Sequence, residues 1–170
     1  QHNLILKNAV SEYDLQRAKE YVYACCPSRI SMLIHSSTIN TRRGCNMQLH
    51  FKSYGDAGQG LIILHGLLGS GRNWHTLSTE MAERYNIVVP DLRNPGHSPH
   101  ADEHHISDMS DDVLDLRRDQ FAEAPVVLGH SMGGLVACDL ALTAPEEVKG
   151  IIVVDIVPAP HRSSAVMIVN

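Results

Sequence analysis

The sequence predicts an α/β fold with a mostly parallel, doubly wound sheet. Four short apolar runs alternate with segments of helical spacing, and this alternation is typical of βαβ units. The runs are apolar at every position, so we expect helices to cover both faces of their strands. Each crossover between parallel strands is expected to be right-handed. The four predicted strands are residues 61–64, 87–89, 126–128 and 151–154.

An edge strand and three helices complete the predicted elements. Residues 47–51 alternate between apolar and polar side chains, as a half-exposed edge strand does. Residues 56–60 are rich in turn-forming side chains and separate this strand from the first buried one. Apolar side chains then recur every three or four residues, which indicates helices over residues 73–85, 108–118 and 133–142.

The sequence divides into a leader over residues 1–45 and a partial α/β domain over residues 46–170. No repeating apolar face emerges in the leader, and we expect it to be disordered. Residues 29–54 contain no acidic side chain but include Arg42 and Arg43, a composition that weakly resembles an organelle transit peptide. A leader without a targeting role, or non-coding read-through, is an equally open interpretation.

The charge balance and the cysteine pattern argue against several classes of protein. With 14 basic and 19 acidic residues among 170, the chain has a formal charge of −5, which argues against a nucleic-acid partner. No apolar stretch is long enough to form a membrane span. The cysteines match no metal or redox spacing and are expected to be free thiols in a reducing compartment. They are Cys25, Cys26, Cys45 and Cys138.

A histidine-rich stretch matches no metal motif. Four histidines lie close together, but their spacing matches no zinc site with enough ligands. The acidic side chains around them are typical of a solvated loop, so we expect neither a metal nor a cofactor. The four histidines are His97, His100, His104 and His105.

The clearest motif is a G-x-S-x-G pentapeptide at residues 129–133, directly behind the third apolar run. A strand before it and a helix after it are the context of a nucleophile elbow, which predicts Ser131 as a covalent nucleophile. Gly129 and Gly133 relieve steric clash in the tight turn, and His130 is expected to support it. The helix begins at the serine, and the unpaired N–H groups of its first turn stabilise negative charge near the serine side chain. The alternative is a glycine-rich turn with an ordinary serine.

A second loop, residues 65–69, follows the first buried strand and has the sequence HGLLG. Acyl transfer produces an oxyanion that two backbone N–H groups can stabilise. At an elbow of this kind one donor is Met132, the residue after the nucleophile, and the other is expected to be Leu67. Gly66 allows the loop to approach closely, and His65 is expected to brace it rather than transfer a proton. The apolar side chains of Leu67 and Met132 would line an acyl pocket.

Taken in order, these motifs resemble the α/β-hydrolase superfamily. The likeness extends from about Met47 to Pro160. It points to the branch that contains small acyl esterases and a mitochondrial abhydrolase-domain protein. It therefore implies a role in lipid or acyl metabolism and a mitochondrial location, with the cytoplasm as the alternative. Pro95 departs from this branch, which usually has histidine there. The segments that carry the likeness are HGLLGS at 65–70, DLRNPGHS at 91–98, GHSMGG at 129–134 and VVDIVP at 153–158.

The resemblance implies a catalytic triad in the chain order serine, acid, histidine. Ser131 maps onto the nucleophile, and Asp155 ends the strand from which some members take the acid. Other members take the acid one strand later, and a carboxylate that caps the next turn is the alternative for Asp155. His161 is the one histidine after Ser131, and it falls where the lid of the family would begin. We therefore expect the triad base to be missing.

The resemblance also implies that the chain ends before the lid and the last strands of the fold. We expect an unpaired edge at the strand over residues 151–154 and a chain that is inactive alone. The expected function is hydrolysis of a small-molecule carboxylic ester or thioester through an acyl-enzyme on Ser131. The alternative is a catalytically incomplete fragment or a non-enzymatic ligand-binding protein of the same fold. A hydrolase of C–C bonds or a cofactor-free haloperoxidase would use the same elbow, and the oligomeric state is unknown.

Overall fold

Six strands form one sheet in the computed structural model, which describes residues 47–155 and the backbone of residues 167–169. The sheet has the spatial order β1-β3-β2-β4-β5-β6. The four inner strands are parallel, and the two outer strands are antiparallel to their neighbours. The strands are β1 Phe51–Tyr54, β2 Gln59–Leu64, β3 Tyr85–Pro90, β4 Val126–His130, β5 Gly150–Val154 and β6 Met167–Val169.

Three α-helices connect the parallel strands, and the predicted α/β class is confirmed. They are α1 His75–Met81, α2 Ile106–Gln120 and α3 Met132–Thr143, with short 3₁₀ turns at Gly71–Trp74 and Pro145–Glu147. The second and third predicted helices are confirmed within two residues at each end. The first is shorter than predicted, because its start forms the 3₁₀ turn and its last residue, Tyr85, begins β3. The predicted leader and His161 lie outside the described residues.

The first edge strand begins later than predicted. Residues 47–50 belong to no strand, and β1 begins at Phe51. Its antiparallel partner β3 ends at Pro90, which lies opposite Phe51. One further hydrogen bond, from Asp91 N–H to the His50 carbonyl at 2.8 Å, prolongs the contact into the loop. The alternating pattern over residues 47–51 therefore covers the segment before β1 and only the first residue of β1.

Apolar side chains fill both faces of the sheet, as the continuous apolar runs predict. On one face, Ile62, Val127 and Val153 pack with the inner sides of α2 and α3. On the other face, alternate residues of the same strands pack with Trp74 and Leu77. Successive side chains of a strand point to opposite faces of the sheet, so a strand that is buried on both faces must be apolar at every position. No helix in the described part of the chain is long and apolar enough to cross a membrane.

The expectation of an unpaired edge at β5 is wrong. β6 pairs antiparallel with β5, in the register Ile151↔Val169 to Val153↔Met167. The open N–H and C=O groups of an edge strand can pair with any extended segment that reaches them. Here a segment of the same chain does so, and it covers three of the five residues of β5.

A buried ion pair ties the loop after β3 to α2. Arg93 and Asp112 are each 1% exposed. Arg93 donates from Nε to Asp112 Oδ2 at 2.8 Å and from Nη2 to Oδ1 at 2.9 Å. Its guanidinium also donates to the backbone carbonyls of Glu103 and Asp108, both at 3.2 Å. The bidentate pairing and the carbonyl acceptors offset part of the desolvation of both charges, and burial still raises the pKa of Asp112 above its usual value.

Breaking this pair on one side should destabilise the fold severely. In Arg93→Met the Asp112 carboxylate stays buried without its partner, so the free energy of unfolding should fall by about 3–5 kcal/mol. Urea denaturation of the two proteins measures the change.

Two further variants control for this result. Arg93→Met combined with Asp112→Leu removes both charges and should recover most of the loss. Arg118→Met removes an exposed partner of Glu147 and should cost about 0–1 kcal/mol. A loss of under about 1 kcal/mol in Arg93→Met would contradict the assigned role of the pair.

Candidate active site

Ser131 occupies a sharp turn between β4 and α3. Its backbone has φ +51° and ψ −116°, a conformation that non-glycine residues rarely adopt. The Ser131 N–H donates to the Val154 carbonyl of β5 at 2.7 Å, and the Ser131 carbonyl accepts from Gly134 N–H at 2.9 Å. The strained turn is therefore held on both sides, by the neighbouring strand and by the first turn of the helix. The side chain is half-buried at the carboxyl edge of the sheet.

The two glycines of the elbow occupy positions without room for a side chain. A Cβ atom on Gly129 would lie 2.2 Å from the Gly133 carbonyl oxygen. A Cβ atom on Gly133 would lie 2.6 Å from the Leu64 carbonyl oxygen at the end of β2. The obstructing atoms are backbone atoms that cannot rotate away. The start of α3 therefore contacts β4 and β2 directly, as the motif predicts for a tight strand-to-helix turn.

The loop over residues 65–69 lies against the elbow. A Cβ atom on Gly66 would lie 3.0 Å from His130 Nδ1 and 3.4 Å from Ser131 Cβ. The loop closes on itself through a hydrogen bond from Gly69 N–H to the Gly66 carbonyl at 2.9 Å. Leu67 follows Gly66 directly and is 57% exposed. The loop that the sequence assigned to the oxyanion hole is thus adjacent to Ser131.

The His65 side chain is buried, and its ring accepts one hydrogen bond and donates another. The Leu92 N–H donates to His65 Nε2 at 2.9 Å, so Nε2 carries no proton. His65 Nδ1 lies 2.8 Å from the Gly66 carbonyl and must be the protonated nitrogen, because a carbonyl can only accept. Burial lowers the pKa of His65, although the bond to Gly66 and the Asp91 carboxylate act in the opposite direction. A neutral imidazole thus connects the loop over residues 65–69 to the loop after β3.

Asp91 holds a second loop at the same edge of the sheet. Its Oδ1 accepts from Gly71 N–H at 2.7 Å, and its Oδ2 accepts from His97 N–H at 2.8 Å. Burial alone would raise the pKa of Asp91, but these hydrogen bonds outweigh it and hold the pKa below its usual value. In the sequence, Asp91 is noted only as the first residue of the segment 91–98 that carries the family resemblance, and no role was expected for it. Its hydrogen bonds fix the turn that follows the loop over residues 65–69.

Asp155 lies at the end of β5 with its carboxylate directed at His130. Its φ is +53°, and its side chain is 11% exposed. The Asp155 Oδ2 atom lies 3.4 Å from His130 Nε2. The His130 ring also makes an edge contact with Trp74, at 6.2 Å between ring centroids. The sequence predicted His130 only as support for the turn, since no local pattern indicates its pairing with Asp155.

The structure therefore brings most of the predicted site residues together. Gly66 lies so near His130 and Ser131 that a Cβ atom on it would be within 3.4 Å of both, and the Asp155 carboxylate faces His130. Met132 begins α3 directly after the serine and is half-buried. The arrangement offers a hydroxyl, backbone N–H groups and a carboxylate at one edge of the sheet.

Several known proteins are similar to this chain. A sequence profile of the alpha/beta hydrolase fold matches residues 60–169. The sn-1-specific diacylglycerol lipase ABHD11 of Danio rerio is 32% identical over 136 residues, which are 78% of this chain and 43% of the lipase. Esterase YbfF of Escherichia coli is 30% identical over 102 residues, which are 60% of this chain and 40% of the esterase.

Solved structures show the same similarity. A marine microorganism esterase superposes with a TM-score of 0.64 at 38% identity, over 69% of this chain and 45% of that esterase. A thermophilic esterase of Thermogutta terrifontis superposes with a TM-score of 0.63 at 27% identity, over 68% of this chain. The chain spans less than half the length of each of these relatives.

The neutral state of His65 predicts a specific pH dependence. Its pKa in the folded protein lies below the unfolded value of about 6.5, so unfolding takes up a proton. The contribution of His65 to stability is complete above about pH 6.5 and falls as the pH is lowered from there. Urea denaturation between pH 7.5 and 5.5 should show a steeper loss of stability in the native sequence than in His65→Gln.

Nitrogen-detected NMR of the histidine rings supplies an independent readout. We expect the His65 imidazole to be neutral and protonated at Nδ1 at pH 7.5, and to gain its second proton at a lower pH than an ordinary histidine, because burial lowers its pKa. Protonation at Nε2, or the same pH slope of stability in His65→Gln, would contradict the bracing role.

Proposed function

The chain belongs to the alpha/beta hydrolase fold family, and we propose that it forms part of a serine esterase. In this proposal Ser131 cleaves a carboxylic ester or thioester of a small molecule through an acyl-enzyme. The observation that carries it is the left-handed backbone of Ser131, held between β5 and α3 with Gly66 beside it. A strained turn of this kind costs free energy and is typical of functional positions.

The chemistry proceeds in two steps. Ser131 Oγ attacks the substrate carbonyl carbon while its proton passes to a general base, and the carbonyl oxygen becomes an oxyanion. The oxyanion accepts from the N–H groups of Leu67 and Met132, and Met132 has a free N–H because it begins α3. The intermediate then expels the alcohol or thiol, which takes the proton. Water attacks the acyl-enzyme in the same way and releases the acid and free Ser131.

Apolar side chains beside the elbow favour an apolar acyl group. Leu67 is 57% exposed and Leu68 is 99% exposed, both on the loop next to Ser131. Exposed large apolar side chains that cluster at a site are typical of ligand-binding surfaces. The names of the relatives, an sn-1-specific diacylglycerol lipase and several esterases, are consistent with such substrates.

Asp155 is proposed as the acid of the triad, and the base as a residue outside the described ones. The described contact of the Asp155 carboxylate is with His130, the residue before the nucleophile. This contact holds the carboxylate at the edge of the site. A histidine that reaches both Asp155 and Ser131 would complete the triad. A mitochondrial location belongs to the same proposal and rests on the family branch and on the acid-free stretch over residues 29–54.

The pairing of Asp155 with His130 also favours a second candidate function. If Asp155 serves only to fix the elbow through His130, the chain binds an acyl ligand without hydrolysing it. The fold and the apolar rim would be retained in such a protein. The two candidates differ in whether the Ser131 hydroxyl forms a covalent bond.

Rescue with a soluble base separates the two candidates. Without a base, a serine triad retains about 10³–10⁴-fold acceleration over water, so the 170-residue chain should hydrolyse p-nitrophenyl esters slowly. Added imidazole can take the proton of Ser131 and should raise the enzyme-dependent rate. Ser131→Ala should abolish the response to imidazole, while the residual rate that comes from the oxyanion hole and substrate binding alone should remain.

Ser53→Ala is the matched control, since Ser53 is exposed on the edge strand β1. It should hydrolyse the ester like the native sequence. A response to imidazole that survives in Ser131→Ala would refute the serine mechanism. Ligand binding without any Ser131-dependent hydrolysis would establish the binding protein instead.

A further inference from the structure

We propose that His50, Asp91 and His97 form a binding site for a divalent transition-metal ion, separate from the ester-cleaving site. The coordinating atoms of the three side chains all lie within 4.8 Å of one another. Two imidazoles and one carboxylate are a donor set that suits Zn²⁺ and its neighbours in the first transition series. The three residues come from the segment before β1 and from the loop after β3.

The distances approach those of a coordinated ion. Two zinc ligands at about 2.0–2.1 Å from the metal lie about 3.4 Å apart in tetrahedral geometry. His97 Nδ1 already lies 3.3 Å from Asp91 Oδ2. The two imidazole rings are 4.9 Å apart between centroids, and both side chains are exposed. Because both rings are exposed, a rotation about their side-chain bonds would bring the third ligand to the ion.

Asp91 retains acceptor capacity for a metal. A carboxylate has about four lone-pair positions on its two oxygens. The backbone N–H groups of Gly71 and His97 occupy two of them, one on each oxygen. His97 Nδ1 makes a third contact, with Oδ2 at 3.3 Å, which a bound metal would replace. These bonds fix the orientation of the buried carboxylate with Oδ2 facing the two histidines. Such outer hydrogen bonds orient the ligands of metal sites in general.

Backbone hydrogen bonds also hold the two histidines in place. The His50 N–H donates to Ser98 Oγ at 2.9 Å, and the His50 carbonyl accepts from Asp91 N–H at 2.8 Å. Ser98 Oγ in turn donates to the Asp91 carbonyl at 2.5 Å. The Cα positions of the three ligands are therefore set before a metal binds. An ion there would link the segment before β1 to the loop that Asp91 organises.

No metal site was expected from the spacing of the histidines in the sequence. Sequence proximity grouped His97 with three later histidines, but the structure brings it to His50 and Asp91 instead. His104 lies elsewhere and contacts Asn94, at 2.8 Å between His104 Nδ1 and Asn94 Nδ2. The ligand set is therefore formed by the antiparallel contact of two chain segments, which no local spacing reveals.

Zinc titration by isothermal calorimetry tests the proposal on a tag-free chain. Cys25, Cys26 and Cys45 are replaced by serine in all samples, so that these thiolates cannot compete for the metal. We expect one Zn²⁺ per chain. His50→Gln and His97→Gln should each raise the dissociation constant for Zn²⁺ by about tenfold or more, since even the loss of an outer-sphere partner lowers metal affinity by that factor. His100→Gln, an exposed neighbour outside the cluster, should leave it unchanged.

A second measurement needs no substitution of a ligand. Addition of Zn²⁺ should shift the ring resonances of His50 and His97 in the NMR spectrum and leave those of His100 in place. Absence of binding, equal binding in all variants, or shifts spread over all exposed histidines would overturn the proposal. Ester hydrolysis is not measured in either experiment, so the outcome is independent of the proposed esterase function.

Discussion

The left-handed backbone of Ser131 is the constraint on which the rest of the site depends. A non-glycine residue in such a conformation costs on the order of 1–3 kcal/mol and persists only where its surroundings hold it. Here the Val154 carbonyl accepts the Ser131 N–H, and the first turn of α3 closes on the Ser131 carbonyl. Both contacts require β4 to lie beside β5 and α3 to start without an intervening loop. The position of Ser131 therefore depends on the order of the strands in the sheet and on the direct junction between β4 and α3.

The loops around the serine are positioned mainly by hydrogen bonds to backbone groups. His65 connects the Gly66 carbonyl to the Leu92 N–H, and Asp91 connects Gly71 to the loop after β3. Backbone groups move only when the chain moves, so these bonds define loop geometry more firmly than contacts between flexible side chains. The buried Arg93 anchors the same loop to α2. The proposed oxyanion hole therefore rests on a preorganised frame, which is what electrostatic catalysis requires.

The fold class, the buried strands and the elbow could be predicted because their signals are local. Continuous apolar runs, helical spacing and the glycines around Ser131 each lie within a few neighbouring residues. The resemblance to the alpha/beta hydrolases is confirmed by the profile match over residues 60–169. The pairing of β6 with β5 and the contacts Arg93–Asp112 and His130–Asp155 were not predicted. They join residues far apart in sequence, so only the folded topology reveals them.

Covalent labelling with a fluorophosphonate tests most directly whether the elbow presents a reactive nucleophile. The probe mimics an acyl donor and leaves a stable adduct that peptide mass spectrometry assigns to a residue. With imidazole supplied as the base, a strained, half-buried Ser131 next to free N–H donors should carry a larger labelled fraction than the exposed Ser53 on β1. Labelling of Ser131 no greater than that of Ser53 would contradict the central claim.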